Sequence, residues 1–141
     1  MLKIKIVAVG RVKEPGISSQ IAEFQKRIRP FAELTHTELK DEGLTKEAAK
    51  LENHMGPNTY VLDEGGKMQS SVEFAAFLKK AEGEITFILG GPEGVAPEVK
   101  QKSKLISLSK MTFTHEMAKL FLIEQLYRAC MINSGRGYYH K

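Results

Sequence analysis

The chain carries one cysteine, Cys130, so no disulfide framework can hold it together. That thiol falls in the most apolar stretch of the sequence, where a structural role is expected and a reactive one is not. The missing framework points to a cytoplasmic protein. Long apolar runs are also absent: none approaches the ~18 residues that a membrane span needs. The opening MLKIKIVAVG has Lys3 and Lys5 threaded through it and reads as a strand, not a signal peptide. No group of His and Cys has zinc spacing, so no metal is expected. The phosphate-binding signature GxxxxGK followed by Ser or Thr does not occur, which argues against a nucleoside triphosphatase of that type. After the first strand the chain reads AVGRVKEPG, which lacks the GxGxxG of dinucleotide enzymes and disfavours an oxidoreductase. Ser109 and His115 would make a hydrolase dyad, but no acidic orienter and no nucleophile elbow accompany them.

What is present suits one ordered domain over residues 1–141. The 42% hydrophobic and 27% charged content is ordinary for a folded chain and rules against disorder. The net charge of +4 is unevenly placed. Residues 1–99 hold 13 Lys and Arg against 15 Asp and Glu, whereas residues 100–141 hold 8 against 2. A polyanionic partner contacting the C-terminal part would account for this, as would a solvated basic face.

Taken in order, the pattern alternates. Leu2 to Val9 reads as a strand ending at Gly10. Ser18 or Ser19 caps a helix through Arg29, with Ile21, Phe24 and Ile28 on one face and Pro30 as its stop. A strand follows over 34–39, then a helix over about 45–55 with Ala48, Leu51 and Met55 spaced for burial. A short strand over 59–62 leads into an expected turn at Asp63, Glu64, Gly65 and Gly66. Ser70 and Glu73 form a capping box for a helix ending near Gly83. Residues 84–89 make a nearly continuous apolar strand, as when both faces are covered. A short basic helix over 97–104, a strand over 105–108 and a long helix over 115–133, capped by Thr114, complete the order. Strand and helix alternating five times predict an α/β fold, a mainly parallel sheet with helices on both faces. Ligands in such folds bind at loops beyond the carboxyl ends of strands.

Two stretches stand out. Gly90, Gly91 and Gly94 directly follow a strand, where bare backbone allows a ligand close approach. A bulky side chain at Gly91 is therefore expected to occupy the approach path. The final residues carry Arg136, Tyr138, Tyr139, His140 and Lys141 in place of small polar residues, and read as part of a site. The long helix KLFLIEQLYRACMI is apolar nearly all round, more than one face of a small sheet needs. It serves as a core helix, a dimer surface around Leu120, Ile123 and Tyr127, or both. His36 and His54 read as surface residues without a role.

The segments KIKIVAVGRVKE, LDEGGK, ILGGPEG, ISLSKMTFTHEM, LIEQLYRA and the terminal YHK resemble, in order and from end to end, the RlmH family of ribosomal large-subunit pseudouridine methyltransferases, within the SPOUT class. Two positions depart from the pattern. Thr114 stands where the family commonly has proline, and Tyr138 where others often carry proline or a small residue.

The resemblance implies an α/β knot, with a C-terminal trefoil that general topology rules would not suggest. It implies a homodimer that uses S-adenosylmethionine to methylate N3 of a pseudouridine in helix 69 of 23S rRNA, within the 70S ribosome. By position, Leu62, Gly90, Gly91, Ser109, Lys110, Met111, Thr112, Phe113 and Thr114 would hold the cofactor. His140 would take the N3 proton or orient the base, and Tyr139 would stack on or hydrogen-bond to it. Arg128, Arg136 and Lys141 would neutralise phosphate or the developing anion, and His115 would cap its helix or contact cofactor or RNA. The competing reading is a non-catalytic ribosome- or RNA-binding module that retains the fold. Cofactor binding discriminates the two.

Overall fold

Among the described residues ten elements alternate strictly. They are β1 (Leu2–Val9), α1 (Pro15–Ile28), β2 (Ala32–Leu39), α2 (Leu44–Glu52), β3 (Thr59–Met68), α3 (Ser71–Lys80), β4 (Ile85–Leu89), α4 (Pro97–Gln101), β5 (Lys104–Ser107) and α5 (His115–Ser134). This is a computed structural model, and it describes residues 1–136. The candidate residues Tyr139, His140 and Lys141 lie outside the described residues.

The five strands form one sheet in the order β2-β1-β4-β3-β5, with every pairing parallel. The expected α/β architecture is thus the observed one. Side-chain alternation along the central strands fills both faces. Ile4, Ile6 and Ala8 of β1, with Ile85, Phe87 and Leu89 of β4, point into a core shared with α1, α3 and α5. Val7, Val9 and Ile88 point the other way, into a smaller core shared with α2 and α4. All five residues of β4 are buried, which explains a run apolar at every position but Thr86. α5 packs against both α1 and α3 and is the middle helix of its layer. Leu122, Ile123 and Leu126 are fully buried there, each contributing roughly 1.5–3 kcal/mol by burial.

Local chemistry sets the helix ends. The capping box of α3 is present in both directions: Ser70 Oγ accepts from Glu73 N at 3.1 Å, and Ser70 N donates to Glu73 Oε1 at 2.8 Å. Thr114 Oγ1 accepts from Met117 N at 3.3 Å and opens α5. α1 starts earlier than its serines suggested: Glu14 is the cap, and Pro15 takes the first turn, where its missing N–H costs nothing. α2 and α3 stop short of the expected 55 and 83, at Glu52 and Lys80.

β3 departs most from expectation. The expected turn at 63–66 is an excursion within a longer strand that resumes at Lys67. Leu62 and Lys67 both pair with Ile106 of β5, so the residues between them bulge out of the ladder. A Cβ on Gly66 would meet the backbone of Ile106 at 2.6 Å, which makes glycine obligatory at the return.

Candidate active site

β3, β4 and β5 end side by side, and the chain leaving each one contributes to a single cleft. After β4, Gly94 N donates to Gly91 O at 3.0 Å and folds residues 90–94 into a tight turn. A Cβ on Gly90 would sit 2.4 Å from Gly94 O, so here glycine is demanded by the turn itself. At Gly91 the added carbon would face Val9 Cγ1 at 3.1 Å, so the position looks into the smaller core. A side chain at Gly91 would therefore also press on β1, a cost that the expectation of a blocked ligand path did not include.

Beyond β5, serines shape the loop. Ser107 Oγ donates to Ser109 O at 2.7 Å and accepts from Ser109 N at 3.2 Å, while Ser109 Oγ accepts from Met111 N at 3.0 Å. These short-range bonds replace a strand ladder and turn the chain toward α5. The loop presents Met111 at 75% exposure and Phe113 at 36%.

The resulting cleft measures about 570 Å³, within the range of small-molecule sites. Of the residues matched to cofactor binding, Leu62, Gly90, Gly91, Ser109, Met111, Thr112, Phe113 and Thr114 all line it. Lys110 sits in the same loop but is not part of the lining. His115 lines it as well, with its Nε2 3.6 Å from where a side chain on Gly10 would begin. The lining is apolar at Leu62, Leu89, Val95 and Phe113, and bears the charged groups Asp63, Glu64, Glu93 and Lys100. Lys100 Nζ lies 2.7 Å from Asp63 Oδ1. That bond, against the cost of burial and helped by Gly65 N, holds the Asp63 carboxyl below its ordinary value.

Of the three remaining candidate cations, the two among the described residues lie elsewhere. Arg128 is on α5 three turns from the cleft and is ion-paired with Glu124 at 2.7 Å. Arg136 follows the far end of α5, where its guanidinium lies over Phe31 at 5.4 Å.

Sequence reasoning missed a polar cluster beside the first turn of α5. Lys119, with its side chain 3% exposed, reaches Glu38 of β2 at 2.9 Å. Glu38 also accepts from Val12 N at 3.4 Å. Glu116 Oε1 accepts from both Lys13 N and Glu14 N, at 3.2 and 3.1 Å. Together these bonds tie the loop after β1 to the start of α5. His36, expected to be an idle surface residue, has a buried Nε2 with no hydrogen-bond partner among the described residues. A lysine at the head of the apolar run KLFLI was the available signal.

The chain matches the family model described as Predicted SPOUT methyltransferase over residues 2–140. It is 40% identical over 150 residues to the ribosomal RNA large subunit methyltransferase H of Gloeobacter violaceus, covering 99% of each chain. It is 39% identical over 158 residues to the protein of that name from Lactococcus lactis, covering 98% of this chain and 99% of that one. Among solved structures, it resembles a probable methylase family protein from Haemophilus influenzae with a TM-score of 0.62 at 10% identity, covering 98% of this chain and 70% of the other. It also resembles the tRNA (m1G37) methyltransferase of Aquifex aeolicus with a TM-score of 0.54 at 18% identity, covering 90% and 69%. At such identities the two structures speak for the fold alone.

Proposed function

The chain belongs to the SPOUT methyltransferase family, and from that premise we propose that it is an S-adenosylmethionine-dependent methyltransferase acting on N3 of a pseudouridine in helix 69 of 23S rRNA, within the assembled 70S ribosome. The observation that carries the reading is the cleft where three strand ends converge. Eight of the nine residues matched to cofactor binding line it, although they come from three separate segments.

The residues present fit such a cofactor. The cleft is large enough, its apolar side chains suit an adenine ring, and the turn at Gly90 and Gly91 presents unshielded backbone for hydrogen bonds. When bound, the cofactor supplies an electrophilic methyl group on a positively charged sulfur. The chain's own task is to hold the base in line and to manage the proton on N3. His140 takes that proton or orients the ring, Tyr139 stacks on it or bonds to it, and Arg128, Arg136 and Lys141 offset negative charge. His115, on the cleft wall, contacts cofactor or RNA.

The geometry of α5 supports a homodimer in which the tail serves the cleft of the other copy. α5 starts at the cleft and runs away from it: Ala118 lines the cleft, and Ser134 lies about 24 Å further along the axis. Arg136, the last described residue, lies at that far end with its guanidinium over Phe31. Of the expected dimer surface, Ile123 is the residue that the monomer core withdraws. Ile123 is fully buried in the monomer core, and Leu120 and Tyr127 pack against that core. The outward surface of α5 is at Phe121, 36% exposed, whose ring meets Phe113 edge-on at 5.1 Å. We assign the subunit contact to that patch, and take residues 1–141 as one knotted SPOUT domain working in the cytoplasm.

The test is incubation of 70S ribosomes from a strain lacking the gene with methyl-labelled cofactor, followed by mapping of the label. One labelled base in helix 69 is expected. Deleting residues 139–141 is expected to leave cofactor affinity intact by calorimetry and to abolish transfer. Ribosome binding without cofactor binding or transfer would leave the non-catalytic module as the correct reading. Transfer at the full rate by the truncated protein would move the chemistry from the tail to the cleft.

A further inference from the structure

The cleft has two walls from distant parts of the chain, and an ion pair joins them. One wall is the excursion of β3 at residues 63–66. The other is the segment after β4, which runs through the glycine turn into α4. Lys100 of α4 donates from Nζ to Asp63 Oδ1 at 2.7 Å, and Asp63 Oδ2 accepts from Gly65 N at 3.0 Å. One carboxylate oxygen therefore shapes the excursion while the other fastens it to α4. Each partner is anchored on its own side. Val99, beside Lys100, is fully buried in the smaller core, and Gly66 is wedged against the Ile106 backbone. The two side chains are 26% and 33% exposed, so the bond is shielded from water on part of its surface without carrying the full cost of burial.

We propose that the Asp63–Lys100 pair is a clamp that sets the width of the cleft, making both positioning residues for the cofactor. This rests on the reading of the cleft as the S-adenosylmethionine site. The clamp has a specific competitor. Asp63 lines the cleft, and its carboxylate would attract a sulfonium cation directly; Lys100 would then weaken binding by neutralising it. The two accounts give opposite signs when the lysine is removed.

The deciding variant is Lys100→Met, which keeps the unbranched stem to within one atom and removes the charge. Titration calorimetry with S-adenosylmethionine and with its demethylated product is the measurement. The clamp predicts that both ligands bind about five- to twentyfold more weakly, because the width of the slot matters to each. Lys100→Arg is expected to restore most of the affinity. In steady-state methylation the loss appears in KM for the cofactor, with kcat at saturation within about twofold of the parent. Asp63→Asn is expected to weaken binding in the same direction. Unchanged affinity in Lys100→Met, or tighter binding of the sulfonium ligand, overturns the clamp. If the unaltered protein binds neither ligand, the cofactor reading fails, a result distinct from loss in the variants alone.

Discussion

Val9 Cγ1 stands 3.1 Å from where a side chain on Gly91 would begin, so glycine there reflects the packing of β1 against the turn. Gly90 answers to the backbone of Gly94, and Gly66 to that of Ile106. Three glycines in or beside one cleft thus each meet a different protein neighbour. Gly91→Val is therefore expected to act first on stability, costing about 1–3 kcal/mol through overpacking against Val9. A lowered Tm in the absence of cofactor checks it; a variant as stable as the parent that has lost cofactor affinity would return the position to the ligand. Lys119 makes the same point with charge. Burial pushes its pKa down against the pull of Glu38, and the pair persists because Glu38 stays ionised. Removing one partner would leave the other uncompensated.

At the scale of elements, α5 carries the most duties. Its first turn lines the cleft, its middle fills the larger core, and its outward side exposes Phe121. A helix apolar nearly all round has no single preferred face, so sequence periodicity could not separate core from contact surface. Ile123, expected at a contact surface, lies in the core because α1 and α3 flank the helix and the sheet lies beneath it, which leaves Phe121 outward. Phe121→Asp should leave the core untouched and weaken self-association by about tenfold or more. Light scattering across micromolar concentrations reads the result. A dimer undisturbed by the charge would place the interface elsewhere.

For the molecule as a whole, acid is the informative stress. Burial, reinforced by the nearby Lys119 cation, lowers the pKa of His36 below 6.5. Burial, with Lys5, does the same for His54. Both histidines are more easily protonated in the unfolded chain, so their contribution to stability is complete above about pH 6.5 and is lost as pH falls through the folded values. Glu38 and Asp63 are also lowered: burial opposes the shift at both, but Lys119 outweighs it at Glu38 and the Lys100 bond outweighs it at Asp63. They extend the loss below the ordinary carboxylate range. Calorimetry from pH 7.5 to 5 should show Tm falling before any carboxylate titrates, and His36→Gln with His54→Gln should flatten that part of the curve. An unchanged slope in the double variant would assign the acid sensitivity to other groups.

The sequence alone determined whatever depends on neighbours along the chain. The alternation of strand and helix, the buried run of β4, the capping box at Ser70 and Glu73 and the Thr114 cap all follow from periods and bonds spanning a few residues. Those are enough to call for a parallel sheet with helices on both faces. The loops that form the cleft were legible from the strand-end rule for parallel sheets, and the family's motifs supplied the cofactor roles of single residues within them, such as Leu62, Gly91 and Thr112. Tertiary structure decided the rest. A turn expected at 63–66 became a strand excursion because Ile106, about forty residues on, pairs on both sides of it. Lys119 became a buried charge because Glu38, 81 residues earlier, lies beside it. Gly91, read as an opening for a ligand, also abuts Val9, 82 residues earlier. In each case the deciding neighbour is distant in sequence, and only the packed chain brings it within bonding distance.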